Sequence, residues 1–309
     1  MTTHSGEPAA RAGVIHDIGY RHYEGPRLGR AAIIRALGWH SLRSAFGIGR
    51  GAKAKIIPVI AFAIMCVPAV VNTVAVAGGR GPVVDYDTYV FQLRVLVMII
   101  FVAAQAPELV SRDLRSHVLP LYFSRPLRRL DYPLAKLGAF ILACLALLEI
   151  PLLLLYLGSV SQAHGGGAVW DQTRALIPGL LVGLAWAVLL ASIGLALASL
   201  SGRRAYATGS IAICFFLSWA LAGLLRGVAT GRGPITGGAG VADAGARLSG
   251  LVSPFTVLDG LREWLGGTSP GPVPPPAGYG PLYGVMFVLL LVAAAGGLAA
   301  RYRKAGVLQ

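Results

Sequence analysis

Long apolar runs separated by polar, basic or glycine-rich stretches dominate the chain. They recur at about the 20 residues that a helix needs to cross a hydrocarbon core about 30 Å thick. Six such runs lie near 56–77, 88–106, 134–158, 175–199, 205–225 and 281–300. Two of the connectors are long, at 107–133 and 226–280. The pattern predicts an all-α membrane protein with a six-span transmembrane domain over 56–300, a polar N-terminal segment over 1–55 and a short tail over 301–309. An even number of spans puts both termini on one side of the membrane.

The first 55 residues are polar and basic, so no secretory signal precedes the first apolar run, and that first span is expected to stay in the mature protein. Within this segment Leu28, Trp39, Leu42 and Phe46 fall within about 60° of one another at 3.6 residues per turn, with Arg35 in the same sector. Such a stripe predicts an interfacial helix lying along the inner leaflet ahead of span one. A disordered basic tail is the other reading of the same residues.

Composition supports the membrane reading: 309 residues, 55% hydrophobic and 13% charged, with mean hydropathy +0.68. The formal net charge of +14 then needs a place. With cytoplasmic termini, the inner segments carry 20 of the 27 Lys and Arg residues and the outer segments carry six. That asymmetry orients the chain. The basic balance faces the inner headgroups and whatever docks there, and nucleic-acid binding is the weaker account of it. Cys66, Cys144 and Cys214 all lie inside apolar runs, which argues against a disulfide framework or a metal site. The excess of Arg over Lys and the abundance of Gly and Ala point to a GC-rich bacterial genome, hence to a multi-pass protein of a bacterial cytoplasmic membrane.

Motifs for catalysis are missing. No G-x-x-x-x-G-K-[ST] phosphate loop occurs, so ATP hydrolysis by this chain is not expected. The six histidines form no H-E-x-x-H pair, and the His16-Asp17 dipeptide has no companion ligands nearby. The chain is expected to be no enzyme and to hold neither metal nor cofactor. Two charged residues do lie inside spans, Arg94 in "YVFQLRVLVMII" and Glu149 in "LALLEIPLLLLY". Each costs about 2.5–3.5 kcal/mol at a helix centre, so each calls for a partner or a wet cavity. Their depths, about 9 and 14 Å below the outer face at 1.5 Å per residue, allow an ion pair. The pair serves either helix packing or a substrate or proton path.

The connector "ELVSRDLRSHVLPLYFSRPLRRLDYPLAK" is too polar to span and too apolar for a plain linker. Pro107, Pro120, Pro126 and Pro133 divide it into short helical pieces, "ELVSRDLRSHVL" and "PLYFSRPLRRL". Leu109, Leu114, Val118, Leu121, Tyr122 and Phe123 offer apolar contacts, while Arg112, Arg115, Arg125, Arg128 and Arg129 offer charge. A mixed surface of that kind suits a protein interface, or a basic loop held against anionic lipid.

The order of this connector, together with six spans, cytoplasmic termini, an interfacial helix before span one and the segment "LSGLVSPFTVLDGLREWLGG" before span six, resembles the permease subunits of type-2 ATP-binding cassette (ABC) transporters. The resemblance covers most of the chain, and the Gly-rich 229–250 and "SPGPVPPPAGYGP" depart from the compact external loops of many members. It implies a cytoplasmic coupling helix between spans two and three and a short external helix between spans five and six. The coupling residues implied are Glu108, Arg112, Asp113, Arg115, His117, Leu121, Tyr122, Phe123, Arg125, Arg128 and Arg129. Partners implied are two copies of a cytoplasmic ABC ATPase, which binds ATP and Mg, a second permease copy or a sister permease, and membrane lipid. The expected activity is export of an amphipathic or hydrophobic substrate. Phe215, Phe216 and Trp219 in span five are candidates to line or close the path, and the same residues would serve helix packing. Two other classes fit the spans: an ion-gradient-driven secondary transporter, for which no internal repeat stands out, and a non-transporting scaffold that recruits a cytoplasmic partner.

Overall fold

The computed structural model describes residues 25, 28–79, 94–116, 118–124, 126–163, 165–230, 244–265 and 277–305. The first turns expected of span two, at 88–93, lie outside these residues, as do His117, Arg125 and most of the departing 229–250 and Pro-rich stretches. Every regular element among the described residues is helical. In chain order they are α1 (Arg30–Ala45), α2 (Ala52–Ala77), α3 (Arg94–Leu109), α4 (Ser111–Arg115), α5 (Leu119–Phe123), α6 (Asp131–Ser161), α7 (Gly166–Leu200), α8 (Arg204–Thr230), α9 (Ala244–Leu248), α10 (Pro254–Trp264) and α11 (Gly280–Ala305).

Six of these, α2, α3 running on through α4, α6, α7, α8 and α11, are long and apolar enough to cross a membrane. Several outrun the apolar runs that announced them. Helix α7 starts at Gly166, well before 175, because its first turns carry the polar "VWDQTR", and polarity marks the edge of the hydrocarbon rather than the end of a helix. Pro107 does not end α3, which continues to Leu109. Proline lacks the N–H that would reach the Ala103 carbonyl, so the helix runs on with one ladder bond missing at that point. Pro133 sits inside the first turn of α6 and Pro120 at the start of α5, positions where a missing N–H costs nothing. The connector's first piece is therefore the last turn of α3 plus α4, broken at Val110, and its second piece is helical only over Leu119–Phe123.

Helix α3 is the axis of the bundle. In its most apolar window 83% of residues are buried, against 17% in α8 and α11. Its neighbours are α1, α2, α6, α7, α8 and α4, and the contact with α7 is made close by small residues. A methyl group on Gly194 would sit 3.5 Å from Ala106 Cβ and press on Val102, so the two backbones approach through a glycine facing an alanine. Phe101 of α3 stacks on Phe140 of α6 at 6.1 Å and meets Phe46, just past α1, at 6.2 Å.

Helix α1 packs on α6 and α3 through Leu37, Ser41 and Ala45. The stripe expected to lie on lipid is thereby divided. Leu42 and Phe46 pack onto the core, while Leu28 and Trp39 are 74% and 63% exposed. Leu28 and Phe46 fall outside the helix bounds, and a 3.6-residue wheel drawn through them assumes a helix longer than the one that forms.

Candidate functional site

Alternation of the spanning helices brings the start of α2, the end of α3, α4, α5, the start of α6, the end of α7, the start of α8 and the end of α11 to one end of the bundle, together with α1. Most of the basic residues collect here. Two carboxylates organise them. Glu108, in the last turn of α3 and buried, accepts a hydrogen bond from Arg50 Nη2 at 2.5 Å through Oε2, and its Oε1 pairs with Arg204 Nη1. One side chain thus joins the α1–α2 link, α3 and α8. Asp113 of α4 accepts from the Tyr132 hydroxyl at 2.7 Å and from Lys136 Nζ at 2.9 Å, both on the first two turns of α6. Tyr132 lies between Tyr122 of α5 and Tyr302 of α11, with ring centroids 5.4 and 5.3 Å away.

Further bonds close this end. Ser111 donates to the Ala198 carbonyl at 2.9 Å and Arg301 Nε to the Ser199 carbonyl at 3.3 Å, satisfying two of the carbonyls that the C-terminus of α7 leaves open. Arg30 grips Asp131 in bidentate fashion, at 2.5 and 2.6 Å, which fastens the start of α1 to the start of α6. Asp131 also accepts the Arg128 N–H at 2.8 Å.

The expected coupling residues therefore separate into two groups. Glu108 and Asp113 point inward and hold helices together, and Tyr122 packs against Tyr132. Arg112, Arg115, Arg128 and Arg129 are exposed, as is Leu121 at 69%, and Phe123 closes α5. The surface that α4 and α5 offer is basic with an aliphatic point, and the acids that sequence alone set beside it are spent on the framework. Sequence reasoning missed Arg50, Lys136, Tyr132 and Tyr302 as members of this cluster; each lies next to a segment boundary, and nothing local says whom it meets.

At the opposite end, α9, a short 3-10 turn over Ser249–Val252 and α10 pack against α8, α7 and α11. Phe255 is fully buried between Trp186 of α7 and Phe215 of α8, with centroids 5.5 and 5.4 Å away. Thr256 donates to the Gly250 carbonyl at 2.6 Å, and the Tyr283 hydroxyl donates to the Arg247 carbonyl. The ring of Tyr283 lies against Gly260, where any Cβ would fall on the ring, so α10 and α11 meet closely only because that position is glycine. Of the span-five aromatics, Phe215 belongs to this buried cluster, while Phe216 and Trp219 are 43% and 44% exposed.

Arg94 is fully buried at the start of α3. Both Glu149 and Asp259 of α10 lie within its electrostatic reach. Among the described residues no ion pair within 4 Å joins Arg94 to Glu149, and the Glu149 oxygens, packed over Gly183, accept no hydrogen bond. The structure thus adds Asp259 to the expected pair and spaces the charges apart.

Burial, reinforced by Glu263 and only partly offset by Arg94, pushes the Asp259 carboxyl up to about 8 from an ordinary 3.8. A folded-state value above the unfolded one means that folding takes up a proton. The stabilisation this confers is full below the ordinary range and is lost as the pH rises through about 8. The melting temperature of the purified chain is accordingly expected to fall between about pH 4 and about pH 8, and Asp259→Asn to flatten that fall. An unchanged slope in the variant would assign the pH dependence to other groups.

Compared with known proteins, the chain matches no protein-family model, and no curated protein matches it.

Proposed function

We propose that this chain is the membrane-spanning permease subunit of an ABC transporter, an exporter that moves an amphipathic or hydrophobic substrate and is driven by ATP hydrolysed with Mg in separate ATPase subunits. The observation that carries the reading is the pair of short helices α4 and α5, exposed and basic at their tips yet braced to the spanning helices at their roots. A subunit that receives mechanical work needs a surface for the partner to grip and stiff connections from that surface to the helices that move. Arg112, Arg115, Arg128, Arg129 and Leu121 supply the grip. Asp113 with Lys136 and Tyr132, and Glu108 with Arg50 and Arg204, supply the connections, so a push on α4 is felt at once by α3, α6 and α8. On this reading the basic end is cytoplasmic, α10 is the short external helix, α1 lies along the inner leaflet, and two permease chains enclose the path. Apart from the charges at the α10 end, the spans present few polar groups, which suits an apolar or amphipathic cargo.

Co-expression with an ATPase encoded beside the gene, followed by co-purification and ATP turnover in proteoliposomes, tests the proposal. The double charge reversal Arg112→Glu, Arg115→Glu is expected to leave the melting temperature unchanged and to cut ATP-driven transport about tenfold or more, because both arginines are exposed and free of framework duty. Wild-type transport in that variant would remove these residues from the interface.

The charges Arg94, Glu149 and Asp259 favour a second reading, transport driven by an ion gradient. It predicts substrate movement in vesicles that contain this chain, an imposed proton or sodium gradient and no ATPase.

A further inference from the structure

Between α1 and the α4–α5 pair lies a cleft of about 470 Å³, within the range of small-ligand sites. Its walls carry four permanent cations, Arg43, Arg50, Arg112 and Lys136, and two carboxylates, Glu108 and Asp113. Neither carboxylate is available to balance the rest. Glu108 is shared between Arg50 and Arg204, which stands outside the cleft, and Asp113 is taken by Lys136 and the Tyr132 hydroxyl. Arg43 of α1 and Arg112 of α4 both line the cleft and have no ion-pair partner among the described residues. The cleft is built for an anion, and two guanidiniums lining one cleft suit the several oxygens of a phosphate.

The position of the cleft indicates where that phosphate comes from. Ile48 on its rim is 49% exposed, and Trp39 on the preceding helix is 63% exposed, an aromatic placed as interfacial tryptophans are. Helix α2 begins at Ala52, two residues beyond Arg50, and turns Ile56, Val59 and Ile60 outward, each more than half exposed. A phosphate held by Arg43 and Arg112 would stand at headgroup depth, with this apolar face of α2 beside it for acyl chains. We infer that the cleft between α1 and α4–α5 binds the phosphate headgroup of an anionic phospholipid, which then ties α1 to the α4–α5 surface. The inference needs only a membrane-embedded chain and stands whether or not an ATPase docks on α4 and α5.

The full-length chain in phosphatidylcholine nanodiscs, titrated with phosphatidylglycerol and read by native mass spectrometry, provides the test. Arg43→Gln alone is expected to weaken retained phosphatidylglycerol about fivefold, and Arg43→Gln with Arg112→Gln about 25-fold, at unchanged melting temperature in pure phosphatidylcholine. Arg43 lies outside the proposed ATPase-facing surface, so the single variant separates lipid binding from docking. Equal retention by wild type and double variant would overturn the inference. So would an equal loss in Arg128→Gln with Arg129→Gln, which would assign the effect to general surface charge. Inorganic phosphate that displaces the lipid and raises the melting temperature as much as the lipid does would make this a site for a free anion and would overturn the lipid assignment.

Discussion

Glu108→Ala is expected to destabilise the protein by about 2–3 kcal/mol and to loosen the basic end of the bundle. Glu108 is buried in the last turn of the most buried helix and gives one oxygen to Arg50 and the other to Arg204. Its loss removes both attractions and leaves Arg50, 20% exposed, with a charge that it cannot fully hydrate. The figure stays below the full cost of breaking a buried pair because Arg204, 59% exposed, can turn to water. Glu108→Gln keeps an acceptor and is expected to lose about half as much. Thermal unfolding in detergent reads the size of the effect. Cysteine accessibility at Arg204→Cys, compared in the presence and absence of the Glu108 change, reads whether the start of α8 has come free. A melting temperature that does not move in Glu108→Ala would show that the two ion pairs contribute nothing net.

At the other end of the bundle, Phe255→Ala is expected to cost about 3–4 kcal/mol and to release α10 from the spanning helices. Phe255 is the wedge between Trp186 and Phe215, so its removal opens a cavity bounded by two large rings from different helices. Phe255 is fully buried, so the truncation forfeits its contacts with both rings as well as its burial. A cavity between rigid helices cannot recover those packing contacts. Phe255→Leu, which refills much of the volume, is expected to recover more than half of the loss. Limited proteolysis within α10 should become fast in Phe255→Ala while the spanning helices stay protected. Equal protection of α10 in variant and wild type would mean that Thr256, Tyr283 and the Gly260 contact hold it without the wedge.

The six spanning helices were legible in the sequence because membrane insertion depends on summed local hydropathy, a property that each segment carries by itself. The same locality explains the errors at the edges: hydropathy reports the hydrocarbon, and α6 and α7 continue as helix beyond it. Two short helical pieces of the connector were also legible from its prolines, although they form only over Ser111–Arg115 and Leu119–Phe123, the break fell at Val110 and Pro107 stayed helical.

Which side chains of that connector serve a partner and which serve the fold was not legible. In the string "ELVSRDLRS" the acids and arginines look equivalent. They differ only because Arg50, Arg204, Tyr132 and Lys136, from distant parts of the chain, arrive beside Glu108 and Asp113 and leave Arg112 and Arg115 outside. Long-range ion pairing depends on distances of a few ångströms between helix ends, and no local pattern encodes those. Arg94 and Glu149 show the same division. Sequence marked both as costly in a membrane, whereas the docking of α10 brought Asp259 into the field of Arg94. By itself the sequence determined that the chain forms six helices long and apolar enough to cross a membrane and gathers its positive charge at one end; the tertiary structure decided which of those charges brace the bundle and which remain exposed, because only packing brings the helix ends together.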